Sequence, residues 1–120
     1  MASDWDGFYA AYMTGADSQG FGLFTFLKGH IAGADPMGVQ FRGTFEEGAD
    51  GSATGKVQVK VPPGGTVIQG ASAGPAGMSY EVEIKLDRSD IEEFIRIETP
   101  LGPVNVRLKK LMSPPEAFYE

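Results

Sequence analysis

The chain contains no cysteine, which excludes a disulfide framework, thiolate metal ligation and a thiol nucleophile. It has one histidine, His30, so the commonest general base has a single candidate. Positive charge is also scarce. Ten Lys and Arg against sixteen Asp and Glu leave a formal charge of −6, and such a surface gains little by releasing counterions from a phosphate backbone. Direct nucleic-acid binding is therefore not expected, and any effect on gene expression would run through a protein partner. No segment approaches the ~20 apolar residues of a membrane helix. The opening Met1-Ala2-Ser3-Asp4-Trp5-Asp6 is acidic where a secretory signal is basic, so a cytoplasmic setting is expected.

Glycine and proline, by contrast, are abundant. Seventeen and eight of them are too many for a helical bundle, because both residues weaken helix interiors. With 42% hydrophobic and 22% charged residues the composition is that of a globular protein, and 120 residues suit one domain. That domain is expected to span 1–120, with a short lead at 1–5 and a tail at 113–120.

Period-two alternation marks the second half. Val57, Val59 and Val61 interleave with lysine and glutamine; Tyr80, Val82, Ile84 and Leu86 with Glu81, Glu83 and Lys85; Val104, Val106 and Leu108 with Asn105 and Arg107. Each pattern describes a half-buried antiparallel strand. Phe8–Thr14, Phe21–Lys28, His30–Ala34, Val39–Glu47 and Phe94–Thr99 complete a count of eight strands. Ser89-Asp90-Ile91-Glu92 has capping-box spacing and suits either a brief helical turn capped by Ser89 or an acidic connecting loop. Eight sequential antiparallel strands can remove their edges by closing into a small barrel, either filled by side chains or holding one small ligand, with an open sheet or a sandwich as the alternatives. The segment 62–77, rich in proline and glycine around Val67-Ile68, is too broken for a strand and predicts a loop whose apolar tip covers one end of the core, with a mobile lid over a ligand site as the alternative.

The first two strands are apolar on both faces. Phe8, Tyr12 and Leu23 are assigned to the interior, with Phe41, Phe45, Val59, Val82, Ile84 and Val106 from later strands. The opposite set, Tyr9, Met13, Phe24 and Phe26, is then left over for a homodimer interface. Intramolecular cover by Phe118-Tyr119 is the alternative.

No catalytic constellation emerges. His30 reads as a hairpin residue and Asp35 as an Asx-turn former before Pro36. The acids come as neighbours, a pattern that gives no separation of pKa values for acid–base work and no regular calcium loop. No cofactor, metal site or enzymatic activity is expected.

Four motifs, Asp6-Gly7-Phe8-Tyr9, Gly20-Phe21-Gly22, Lys28-Gly29-His30-Ile31 with Gly33-Ala34-Asp35, and Gln40-Phe41-Arg42-Gly43-Thr44-Phe45, together resemble the GrlR-like family of negative regulators of type III secretion. The likeness runs from Asp6 to about Val61. It implies a lipocalin-like barrel, a homodimer, and action by binding a partner transcriptional regulator, with the acidic hairpin Glu46, Glu47 and Asp50 as a partner-facing surface. A carrier of a small apolar ligand, a lipid or fatty acid, is the second expectation.

Overall fold

A computed structural model describes residues 4–16 and 18–119. Eight antiparallel strands follow one another along the chain: β1 (Gly7–Thr14), β2 (Gln19–Leu27), β3 (His30–Ala34), β4 (Gln40–Glu47), β5 (Ala53–Val61), β6 (Met78–Leu86), β7 (Phe94–Ile97) and β8 (Val104–Met112). They form one sheet in the order β6-β5-β4-β3-β2-β1-β8-β7. The first strand pairs with the last, as the expected meander requires, and the sheet curls nearly into a barrel.

Turn chemistry sets the hairpins. Lys28 and Gly29 both take positive φ between β2 and β3, the backbone of a two-residue turn that matches strand twist. Asp35 accepts hydrogen bonds at Oδ1 from the amides of Met37 (2.9 Å) and Val39 (3.0 Å), the expected Asx-type turn. In the β4–β5 hairpin Asp50 Oδ1 accepts from Ser52 Oγ at 2.6 Å and from the Ser52 amide at 3.0 Å. These bonds, the hydroxyl first, hold its carboxyl below the usual range.

Closure is not completed by a backbone ladder. The two edges left unpaired are β6 and β7, successive in the chain. The corner between them holds a one-turn 3-10 helix, Arg88–Asp90, three residues long. Its cap is Asp87, whose amide donates to Asp90 Oδ2 at 3.3 Å, so the turn begins before Ser89. Glu92, at φ 68°, then donates its amide to the Leu108 carbonyl at 2.8 Å. The chain thus enters β7 already committed to β8, and on either side of the seam Tyr80 and Ile84 of β6 and Ile95 and Ile97 of β7 are partly buried and pack against the core.

The core is denser at one end. Phe26 packs against Trp5, Tyr9 and Phe45 with ring centroids 6.2, 5.1 and 5.2 Å apart, contacts worth ~0.5–1.5 kcal/mol each beyond their buried area. Two hydrogen bonds lock this aromatic floor: Trp5 Nε1 donates to the Gly51 carbonyl at 2.8 Å, and the Tyr9 hydroxyl to the Trp5 carbonyl at 2.7 Å.

The assignment of faces in β1 and β2 is the reverse of that expected. Tyr9 and Phe26 are fully buried, and Met13 and Phe24 pack on the same core; none of the four is on an outer interface. Tyr12 and Leu23 instead point outward, exposed by 40% and 56%, and Phe8 lies outside under Phe118 at 6.0 Å, edge to face. Register decides this. Arg107 on β8 faces away from the core because Val106 and Leu108 face into it, and Tyr12 stands directly opposite Arg107. The carboxyl tail covers the closed end of this outer face, with Tyr119 donating its hydroxyl to Asp6 Oδ2 at 2.6 Å.

Burial first, and then the charge of Asp6, push the Tyr9 hydroxyl from 10.0 up to about 12. A group raised in the folded state contributes stability that is complete below its unfolded pKa and is lost as pH climbs through the folded value. The urea midpoint is therefore expected to fall between pH 10 and 12. Tyr9→Phe should show a shallower fall across that window, while losing about 1 kcal/mol at neutral pH for the missing hydrogen bond. Equal alkaline slopes for the two proteins would contradict the placement of Tyr9.

Candidate functional site

Above the aromatic floor the barrel holds a cavity of about 470 Å³. Its walls come from every strand, because alternate residues of each strand point inward. Phe24, Phe41, Val59 and Tyr80 form one cross-strand row, with Gly33 between the two phenylalanines; a Cβ at Gly33 would stand 2.6 Å from the Phe24 ring. Glycine at this position lets the Phe24 and Phe41 rings meet at 4.8 Å across the intervening strand. Of the residues expected inside, Phe41, Val59, Val82, Ile84 and Val106 line the cavity, and Phe45 sits in the floor. Met13, Phe24 and Phe26, expected at an interface, line it as well.

The open end lies where β1, β3, β5 and β7 finish and β2, β4, β6 and β8 begin. Segment 62–77 crosses it as a strap. This segment is ordered by its own backbone: Gly64 and Ala73 donate to Gly74 and Gly65, Val67 to Ala71, and Gly70 to Val67. Thr66 and Ser72 form a single antiparallel bridge. Val67 and Ile68 at its tip face the cavity. The Ile68 carbonyl passes so close to Gly15, in the β1–β2 turn, that a Cβ there would collide with it.

Gln69 fastens the strap over the seam. Its Nε2 donates to the Tyr80 hydroxyl on β6 at 3.2 Å and to Thr99 Oγ1, just beyond β7, at 3.1 Å. Thr99 in turn donates to the Gly102 carbonyl at 2.6 Å, so its oxygen can only accept from Gln69. That commitment fixes the amide's orientation. Burial raises the Tyr80 hydroxyl above its ordinary value, keeping it a neutral donor.

Alternation in the sequence marks Tyr80 as a core-facing strand residue, but none of Gln69, Tyr80 and Thr99 is singled out there as a site residue, and the only signal for Gln69 is the unusual composition of 62–77; their convergence depends on where the strap lands. Nothing comparable gathers around His30, which is exposed at the start of β3 while Asp35 lies past its far end. Glu46 and Glu47 are exposed at the end of β4, and Asp50 is held by Ser52. Among the described residues no group of three His, Cys, Asp or Glu is placed to hold a metal ion, and no helix is long and apolar enough to cross a membrane.

The outer face carries a second feature. Phe21, Tyr12, Arg107 and Phe94 stand directly opposite one another across β2, β1, β8 and β7. The Arg107 guanidinium lies 5.2 Å from the Tyr12 ring and 5.8 Å from Phe94, and its Nε is buried without an acceptor among the described residues. The three aromatics of the row remain substantially exposed.

No protein-family model, curated protein or solved structure matches the chain, so the GrlR-like likeness stands on the sequence motifs alone.

Gln69→Ala removes both cross-seam bonds and is expected to loosen the strap before the barrel. Amide exchange at Val67 and Gly70 should quicken by roughly tenfold, the scale of one to two lost hydrogen bonds, while the β4–β5 ladder keeps its protection. Unchanged exchange in the strap would show that Gln69 does not fasten it.

Proposed function

We propose that this protein is a non-enzymatic binding barrel that encloses a small apolar ligand. The observation that carries this reading is the cavity itself: about 470 Å³, within the ~300–1,000 Å³ range of ligand sites, apolar along its walls and with polar groups confined to one end. An aromatic floor closes one end and a strap with glycines at both of its hinges crosses the other, a geometry that suits entry of a ligand by strap movement. The reading takes the protein to act in the cytoplasm. It assigns no residue a catalytic role.

Val59→Phe adds a ring in the middle of the wall, opposite Phe41. The wild type is expected to brighten an environment-sensitive apolar dye and to carry an added mass of lipid size in native mass spectra. The variant, checked for an unchanged cooperative melt, should do neither. A wild type that binds no dye and flies bare would defeat the proposal.

One observation favours a second reading, a regulatory protein-interaction barrel of the kind the GrlR-like resemblance implies. The exposed Phe21, Tyr12, Arg107 and Phe94 row is unusual for a free surface and offers both apolar area and a cation. In this reading a second copy of the chain covers the row, and the acidic β4–β5 hairpin at Glu46, Glu47 and Asp50 is left for the regulator. Sedimentation velocity should then give a dimer for the wild type and a monomer for the Phe21→Ser/Phe94→Ser double variant. Monomers in both cases would count against it.

A further inference from the structure

The cavity's polar end is built for a neutral head group. Among the described residues that line it there is no Lys, Arg or His. The one lining carboxylate, Asp35, already accepts two backbone amides through Oδ1 and so serves the turn. Ser18, Gln19 and Thr66 also line this end but are exposed to water at its rim, whereas two half-buried groups, Tyr80 and Gln69, are only partly committed. Tyr80 accepts from Gln69, and among the described residues no acceptor takes its own proton. Gln69 uses its Nε2 for Tyr80 and Thr99, and its carbonyl oxygen has no donor among those residues. Thr99 contributes nothing more, because its proton goes to Gly102 and its oxygen takes both Gln69 and the Leu101 amide.

Resting on the ligand-carrier reading above, we propose that the barrel selects an uncharged amphiphile, with an alcohol, ketone or ester head hydrogen-bonded to Tyr80 beneath Gln69 and a hydrocarbon body along Phe24, Phe41 and Val59. The physical reason is the cost of desolvation. An ionised carboxylate leaving water needs a cation to offset its hydration; the lining supplies only neutral donors, Tyr80 inside and Ser18, Gln19 and Thr66 at the exposed rim, beside the Asp35 carboxylate and in a chain of net charge −6. A hydroxyl or carbonyl asks only for the donor that Tyr80 has available, with Gln69 Oε1 as acceptor for an alcohol proton. The two ends of the cavity therefore differ in kind. The floor end is dry and aromatic and takes the tail; the strap end takes the head.

The selectivity separates this barrel from a fatty-acid carrier, in which a basic side chain meets the acid head. It also makes Tyr80 a specificity-determining residue rather than a wall residue. Its ring would be retained by phenylalanine, and only the hydroxyl lost.

Four probes sharing one chain length test this by displacement of an apolar dye at neutral pH: decane, decanol, methyl decanoate and decanoate. Decanol and the methyl ester are expected to bind about tenfold or more tighter than decanoate, a difference of about 1.4 kcal/mol. Tyr80→Phe should weaken decanol and the ester severalfold and leave decane unchanged, a pattern that general loosening of the fold would not produce. Decanoate binding as tightly as decanol would overturn the selectivity while leaving the carrier reading intact. So would equal loss for decane and decanol in Tyr80→Phe. If none of the four displaces the dye, or no dye binds, the carrier reading itself fails.

Discussion

The packing of Phe26 against Trp5, Tyr9 and Phe45 is the contact set on which the rest of the molecule depends. It brings together the lead into β1, β1 itself, β2 and β4, and Trp5 carries the link on to Gly51 in the β4–β5 hairpin. Large rings gathered at one end fill that end completely. The remaining length of the barrel is lined mostly by aliphatic side chains with the Phe24, Phe41 and Tyr80 rings set along one wall, and it is there that the cavity lies. A ligand-sized space is thus a consequence of where the bulk was concentrated.

The seam follows from topology. A meander that pairs its first strand with β8 and sends β7 to the outside of β8 leaves β6 and β7 as edges. Both carry apolar residues that pack against the core, and among the described residues no hydrogen-bonded ladder joins them. The strap then ties the seam at the open end through Gln69, whose two donors reach one edge strand and the residue just past the other. Opening the cavity and loosening the seam are coupled through that single amide.

Inside and outside divide the aromatic residues into two uses. The inward set excludes water and shapes a pocket. The outward row is centred on Arg107, whose guanidinium lies over the Tyr12 and Phe94 rings, an arrangement worth ~0.5–2 kcal/mol per ring depending on solvent access. By comparison the exposed ion pairs, such as Arg96 with Glu98 at 2.7 Å, contribute little, since water screens them and long side chains resist being fixed.

The fold class was legible in the chain because strand periodicity and turn chemistry are local. Val57, Val59 and Val61 could face a core in only one way, and Lys28-Gly29 could turn in only a few. The eight strands accordingly lie within a few residues of where alternation put them. The facing of β1 and β2 was not legible, since Tyr9 and Tyr12 are equally able to be buried and alternation in an all-apolar strand favours neither. It took the β1–β8 register, which sets Tyr12 against Arg107, to turn Tyr9 inward. The polar end of the cavity was likewise beyond local reading: Tyr80 and Thr99 lie 11 and 30 residues from Gln69 in the chain and meet it only when the strap lands on the seam. Sequence alone determined that this would be a curled antiparallel sheet with one apolar face, because backbone preference and side-chain period act between neighbours. Only tertiary structure decided which residues enclose the space and which chemistry waits at its mouth, because register and strap placement are settled by contacts between distant parts of the chain.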